Sequence, residues 1–175
     1  MIFYIADTHF GHERIIKLCK RPFQSVDEMD SRLIENWNLT VKCSDTVYVL
    51  GDFAISDKVA TDILLRLNGE KHLIYGNHDT VLESSLHCFK SVVQIATIKD
   101  TGRSVCLCHY PLLSYENSVY GGYHLFGHIH NNPNDIATNL QKWLPKSINC
   151  GVDVTGFFPR TLDELIKIKE NDYLL

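Results

Sequence analysis

The sequence contains no apolar run approaching the roughly 20 residues that a membrane-crossing helix needs, so no membrane-spanning segment is expected. It has no excess of cationic side chains either: 17 Lys and Arg against 21 Asp and Glu give a formal net charge of -4. A chain of that sign has no general field for drawing in nucleic acid, and an extended nucleic-acid partner would require a local basic patch. Low-complexity tracts, internal repeats and Gly/Ser/Pro linkers are absent, which leaves one domain over residues 1–175 as the expectation. The six cysteines form no CxxC pair, and the opening stretch from Met1 to Ala6 is too short for a secretory leader. It reads as a first strand, the cysteines as reduced and mostly buried, and the protein as cytoplasmic.

Short apolar runs are what the chain does contain: Ile2 to Ala6, Thr46 to Leu50, His72 to Tyr75, Val92 to Ile98, Ser104 to Cys108 and Tyr123 to Phe126. Their length and their Val, Ile and Tyr content predict buried strands. Helical patterns lie between several of them. Ser25 and Glu28 make a capping box ahead of Met29, Leu33, Ile34 and Trp37, a second helix is expected over Ser56 to Leu67, and a last one starts at Thr161 with Glu164 as its capping partner. From Asp135, the spacing of Ile136, Leu140, Trp143 and Leu144 suggests a short amphipathic helix. Strands alternating with helices indicate an α/β fold.

Ligand-type side chains are concentrated where these strands end. The runs lead into Asp7-Thr8-His9, Gly51-Asp52, Gly76-Asn77-His78-Asp79, His109 and Gly127-His128-Ile129-His130. Side chains alternate along an extended segment, so Asp7 and His9, and likewise His128 and His130, are expected to point the same way. Alternation separates Asn77 from His78, so one of the two can hold a metal while the other faces a substrate. Asp52 has two carboxylate oxygens and can bridge two cations. Asp79 is expected either to orient His78 or to cap the turn. Singly, each motif is more often a turn or a polar edge than a ligand pair. Recurring in order at five strand ends, where open α/β sheets form their sites, they point to a metal centre.

These motifs resemble, in order, those of the calcineurin-like metallophosphoesterase superfamily in its small single-domain bacterial and phage form. The resemblance covers roughly residues 2 to 158 and includes Asn149-Cys150-Gly151-Val152-Asp153-Val154, expected as a further strand. It implies a two-sheet β-sandwich flanked by helices, a four-layer αββα arrangement. It also implies that Asp7, His9, Asp52 and His130 hold one metal while Asp52, Asn77, His109 and His128 hold the other. Oxygen and imidazole ligands without thiolate suit Mn²⁺, Fe²⁺ or Zn²⁺, with Mn²⁺ the first expectation.

The expected activity is hydrolysis of phosphate esters, with phosphodiesters or nucleotide-like substrates ahead of monoesters, by a hydroxide held between two divalent cations. His78 is the expected catalytic residue outside the ligand set, with Asp79 behind it. Two other readings stay open. One is a protein-binding scaffold, because the superfamily includes a retromer subunit that serves in protein assembly. The other is a nuclease, which needs a positively charged track for the nucleic-acid backbone. The complete ligand set weighs against the first and the acidic balance against the second.

Several residues keep two readings. His12 can meet a substrate phosphate or simply start a helix. Lys17, Lys20 and Arg21 read as cations in a helix's last turn before they read as a phosphate contact. Tyr115, Tyr120 and Tyr123 can stack on a nucleobase or cover the edge of the core. His72, His87 and His124 read as structural histidines, and Cys106 and Cys108 as core thiols.

Overall fold

An aromatic and β-branched tetrapeptide, Ile2–Ile5, forms β1, and its alternation sends Phe3 and Ile5 into one apolar layer and Tyr4 into another. The computed structural model describes residues 1–172. In it β1, β2 (Thr46–Val49), β3 (Glu70–Ile74) and β4 (Ser91–Val93) pair in that order as a parallel sheet. A second sheet contains β5 (Ile95–Asp100), β6 (Arg103–Cys108), β7 (Tyr123–Phe126) and β8 (Ser147–Asn149); β5 is antiparallel to β6, and the remaining pairs are parallel. Helices α1 (Glu13–Leu18), α2 (Val26–Thr40) and α3 (Asp57–Leu64) connect the strands of the first sheet. Helix α4 (Ile136–Leu140) precedes β8, while α5 (Val152–Thr155) and α6 (Leu162–Asp172) follow it. This is the α/β fold that the alternation of strands and helices predicts, in the arrangement of two sheets flanked by helices that the resemblance implies.

Two apolar layers hold it. Phe3, Ile5, Val47, Val49 and Leu73 of the first sheet pack with Met29, Leu33 and Trp37 of α2 and with Ala60, Ile63 and Leu64 of α3. On the opposite face, Tyr4, Leu50 and Ile74 pack with Val105, Leu107, Leu125 and Ile148 of the second sheet and with Leu162 and Leu165 of α6. Helix ends follow the capping chemistry. The Ser25 hydroxyl accepts from the Glu28 N–H at 3.2 Å, Ser56 caps α3, and Thr161 and Glu164 exchange reciprocal bonds. The Glu28 carboxylate reaches the N–H of Gln24, one residue before the cap.

Three expectations change. Val92 to Ile98 is not one strand, because β4 ends at Val93 on the edge of the first sheet and β5 begins at Ile95 on the edge of the second. A period-two apolar run carries no mark of the residue at which the chain changes sheets. Asn149 to Val154 is not one strand either: after a single bridge between Gly151 and Ala6 the chain turns into α5, which carries Asp153 to Arg21. The helix predicted from Asp135 is present as α4, yet Ile136 and Trp143 face solvent. Among the described residues, no helix is long and apolar enough to cross a membrane.

Leu125 is fully buried between the sheets. Leu125→Ala is expected to lower the unfolding free energy by about 2–5 kcal/mol, read by urea denaturation followed by circular dichroism.

Candidate metal centre

The segments that leave β1, β2, β3, β6 and β7 meet at one end of the two sheets. Five of the residues predicted as ligands there have left-handed backbone, with φ of 57° at Asp7, 52° at His9, 56° at Asp52, 71° at His128 and 50° at His130. For residues other than glycine, such sparsely populated conformations cost on the order of 1–3 kcal/mol each and persist where the surroundings over-determine them. Strand alternation is therefore not what pairs Asp7 with His9 or His128 with His130, because both members of each pair have already left the extended region. Glycine is required where the segments touch. A Cβ at Gly76 would stand 2.5 Å from Asp52 Oδ1, and one at Gly127 would stand 2.7 Å from Asp7 Oδ2.

All seven residues predicted as ligands are brought together. Asn77 Oδ1 lies 3.0 Å from His109 Nε2 and 3.0 Å from His128 Nδ1, and Asp52 Oδ2 lies 3.6 Å from His109 Nε2. The same Asp52 oxygen is 3.7 Å from His9 Nε2, and the His9 and His130 rings stack with centroids 5.3 Å apart. Donor atoms of Asp7, His9 and His130 lie within 4.8 Å of one another, as do those of Asp7, Asp52 and His109.

The chemistry of this donor set fits divalent cations. His109 Nδ1–H donates to the Leu50 carbonyl at 2.8 Å, so in the neutral ring it is the Nε2 lone pair that faces the oxygens of Asp52 and Asn77, acceptor against acceptor. His9 Nε2 is buried without a hydrogen-bond partner. Burial pushes the Asp7 carboxyl up to about 6. Burial, reinforced by the charges of His130 and Arg21, pushes His9 down to about 2. Lone pairs that converge without protons between them are what a bound cation satisfies.

Two buried groups brace the strained segments. Arg21 Nε and Nη2 donate to the two oxygens of Asp153 at 2.8 and 3.0 Å, while Nη2 and Nη1 donate to the carbonyls of Asp7 and Thr8 at 2.7 and 3.0 Å. Asp153 Oδ2 in turn accepts from His130 Nδ1 at 2.8 Å. Burial disfavours charge on the His130 ring, but the bonds to Asp153 and Cys19 and the charge of Asp7 prevail and hold it at about 10. Burial likewise works against the Asp153 carboxylate, and the bonds from His130 and Arg21 outweigh it, leaving the group below the usual carboxylate range.

Asp79 is the second brace. Its carboxylate accepts from the backbone N–H groups of Asp52 and Phe53 at 2.9 Å and of Gly76 at 2.7 Å. Its oxygens are taken up by the turns after β2 and β3, so the expectation that Asp79 orients His78 gives way to the turn-holding one. The His78 backbone N–H donates to Asp52 Oδ1 at 2.8 Å, and its ring lies 5.4 Å from that of His9.

A cleft of about 680 Å³ opens over this centre, lined by His9, His12, His78, His128 and His130, by Ile15, Leu18, Cys19 and Lys20, and by residues 129 and 131–135. The last-turn reading holds for Lys17, while Lys20 lines the cleft. It fails for Arg21, which lies beyond α1 and is buried. Tyr115 donates to the Gly122 carbonyl and packs on His124, Tyr120 is exposed, and Arg103 and Lys146 lie over the Tyr123 ring, so none of the three lines the cleft. His124 is buried against the Cys106 and Tyr110 carbonyls, and His72 bonds Ser91, as structural histidines do. Sequence reasoning missed Arg21 as a brace, Asp153, Cys19 and Tyr110, whose ring lies 4.7 Å from that of His128. Tyr110 had a signal in its place next to His109, and Asp153 in its place within the Asn149 to Val154 segment of the resemblance.

No family model matches the chain. It is 39% identical over 172 residues to the uncharacterized protein MJ1445 of Methanocaldococcus jannaschii, covering 97% of this chain and 91% of that protein, and it belongs to the same family. Among solved structures, the protein of unknown function AQ665 from Aquifex aeolicus aligns with a TM-score of 0.75 at 25% identity, covering 100% of this chain and 99% of that one. The nuclease MPE from Pseudomonas putida aligns with a TM-score of 0.49 at 21% identity, over 74% of this chain and 60% of that one.

Arg21 and Asp153 form a buried ion pair whose side chains are 0% and 1% exposed. Arg21→Ala is expected to lower the unfolding free energy by about 3–5 kcal/mol, against a change within about 0.5 kcal/mol for the exposed Lys17→Ala. Equal effects in parallel denaturant melts would contradict the bracing role.

Proposed function

We propose that this member of the MJ1445 family is a metal-dependent phosphoesterase that hydrolyses phosphodiesters or nucleotide-like esters. One observation carries the reading: the buried His109 Nε2 and Asp52 Oδ2 converge with Asn77 Oδ1 at the mouth of the cleft, and the buried His9 Nε2 beside them has no hydrogen-bond partner. Asp7, His9, Asp52 and His130 would hold one divalent cation, and Asp52, Asn77, His109 and His128 the other. Mn²⁺, Fe²⁺ and Zn²⁺ suit such a set. When bound, two such cations neutralise phosphoryl charge and lower the pKa of a water molecule.

The chain's own residues supply the rest. The Leu50 carbonyl accepts from His109 Nδ1 and the Asp153 carboxylate from His130 Nδ1, and each contact orients its ring with Nε2 as the atom left for a cation. His78, beside His9 on the cleft, hydrogen-bonds the phosphoryl group or protonates the leaving oxygen. A cleft of about 680 Å³ has room for a group of nucleotide size. Ile15 and Leu18 offer it apolar surface, and Asn131, Asn132 and Asn134 offer side-chain amides. Lys20 is the lone Lys or Arg among the lining residues, which is too little for a track along an extended nucleic-acid backbone.

Metal-stripped protein is expected to hydrolyse bis-p-nitrophenyl phosphate only after Mn²⁺ is restored. Asn77→Ala should lose more than about 100-fold, the upper range for a residue that merely supports a ligand. Absence of turnover with Mn²⁺, Fe²⁺ and Zn²⁺ alike would sink the phosphodiesterase reading. His78→Ala is expected to lower kcat by about 10²- to 10⁴-fold with metal content, measured by elemental analysis, unchanged. Loss of metal in step with activity would move His78 into the ligand set.

A further inference from the structure

His12 opens α1, yet its side chain makes no capping hydrogen bond to the first turn. The helix uses only its backbone, through the His12 carbonyl that accepts from the Ile15 N–H at 3.1 Å. The ring packs beside the centre instead, with its centroid 5.4 Å from that of His9, the same separation that His78 keeps from His9. Its Nδ1 is buried with no hydrogen-bond partner.

The turn that carries His12 is also fixed. The Gly11 N–H donates to both carboxylate oxygens of Asp30 at 3.0 and 3.1 Å, and the His12 N–H donates to the His9 carbonyl at 3.0 Å. Gly11 sits at φ +74°, and a Cβ there would stand 3.0 Å from Ile55 and 3.1 Å from Val59. The imidazole is therefore presented to the cleft on a rigid loop packed against neighbouring elements.

Resting on the metal-centre reading above, we infer that His12 is a substrate-contacting residue: His12 and His78 both border His9, and each lends an imidazole N–H to the oxygens of the phosphoryl group bound there. Donors held in place before the charge develops are the arrangement that stabilises a phosphoryl transition state.

The test compares the wild-type chain with His12→Ala and His12→Gln, all loaded with Mn²⁺. Readouts are metal content, melting temperature, affinity for inorganic phosphate by calorimetry, and kcat and KM on bis-p-nitrophenyl phosphate. His12→Ala is expected to keep its metal and melting temperature, to bind phosphate at least about tenfold more weakly and to lose about 100-fold in kcat/KM. His12→Gln, which keeps a side-chain N–H, should recover a large part of the phosphate affinity. Unchanged phosphate affinity in His12→Ala would overturn the inference, and so would metal loss parallel to activity loss. A wild-type chain that binds phosphate through His12 but hydrolyses nothing would overturn the esterase reading alone. A wild-type chain that binds no phosphate would overturn both.

Discussion

Strained backbone at the strand ends is the constraint on which the rest of this structure depends. Five donors sit on left-handed residues, and at about 1–3 kcal/mol each their combined strain is a large share of the roughly 5–15 kcal/mol by which a domain is stable. It persists because buried groups hold each turn from outside. Arg21 takes the carbonyls of Asp7 and Thr8, Asp79 collects three backbone N–H groups, and the Asp7 carboxylate accepts from the His128 N–H at 3.0 Å. Residues that present donors and residues that brace the backbone therefore form one network. Arg21 and Asp153, 132 positions apart in the chain, are joined inside it.

Electrostatics divides that network into two kinds of site. Around Arg21 opposite charges are paired within the chain, with the Asp153 carboxylate held between the guanidinium and the His130 ring. Around Asp52 they are not, because oxygens and imidazole lone pairs face one another in a buried space. Burial pushes Asp7 up and His9 down, both toward their neutral forms. Positive charge supplied from outside the chain is what would make that half of the site self-consistent.

Much of this could be read from residue order. Apolar runs announced the strands, capping boxes at Ser25 and Thr161 announced two helices, and the recurrence of Asp, Asn and His at strand ends marked the centre. Features that depend on tertiary geometry could not be read. Arg21 looks like any cation near the end of a short helix until the chain brings Asp153 against it. Asp79 lies next to His78 in sequence, yet its partners are N–H groups of its own turn, at Gly76, and of the turn after β2, at Asp52 and Phe53. Left-handed backbone at five donors had no local signature, since Asp and His enter that region without a glycine to mark it.

Gln94 alone separates β4 on the edge of one sheet from β5 on the edge of the other. Asp7, His9, Asp52 and Asn77 follow strands of the first sheet, while His109, His128 and His130 follow strands of the second. The molecule is thus a book with a one-residue spine, whose facing pages carry the two halves of the donor set. Bridges from Ala6 to Gly151 and from Tyr4 to Arg160 tie β1 to the chain that follows β8, so the angle between the pages is held at the far edge as well as at the spine. That angle is governed by what is pressed between the pages, namely Tyr4, Leu50, Ile74, Val105, Leu107, Leu125 and Ile148. The spacing of the donors is in this sense a gauge whose thickness is set by methyl groups and aromatic rings that carry none of the donors.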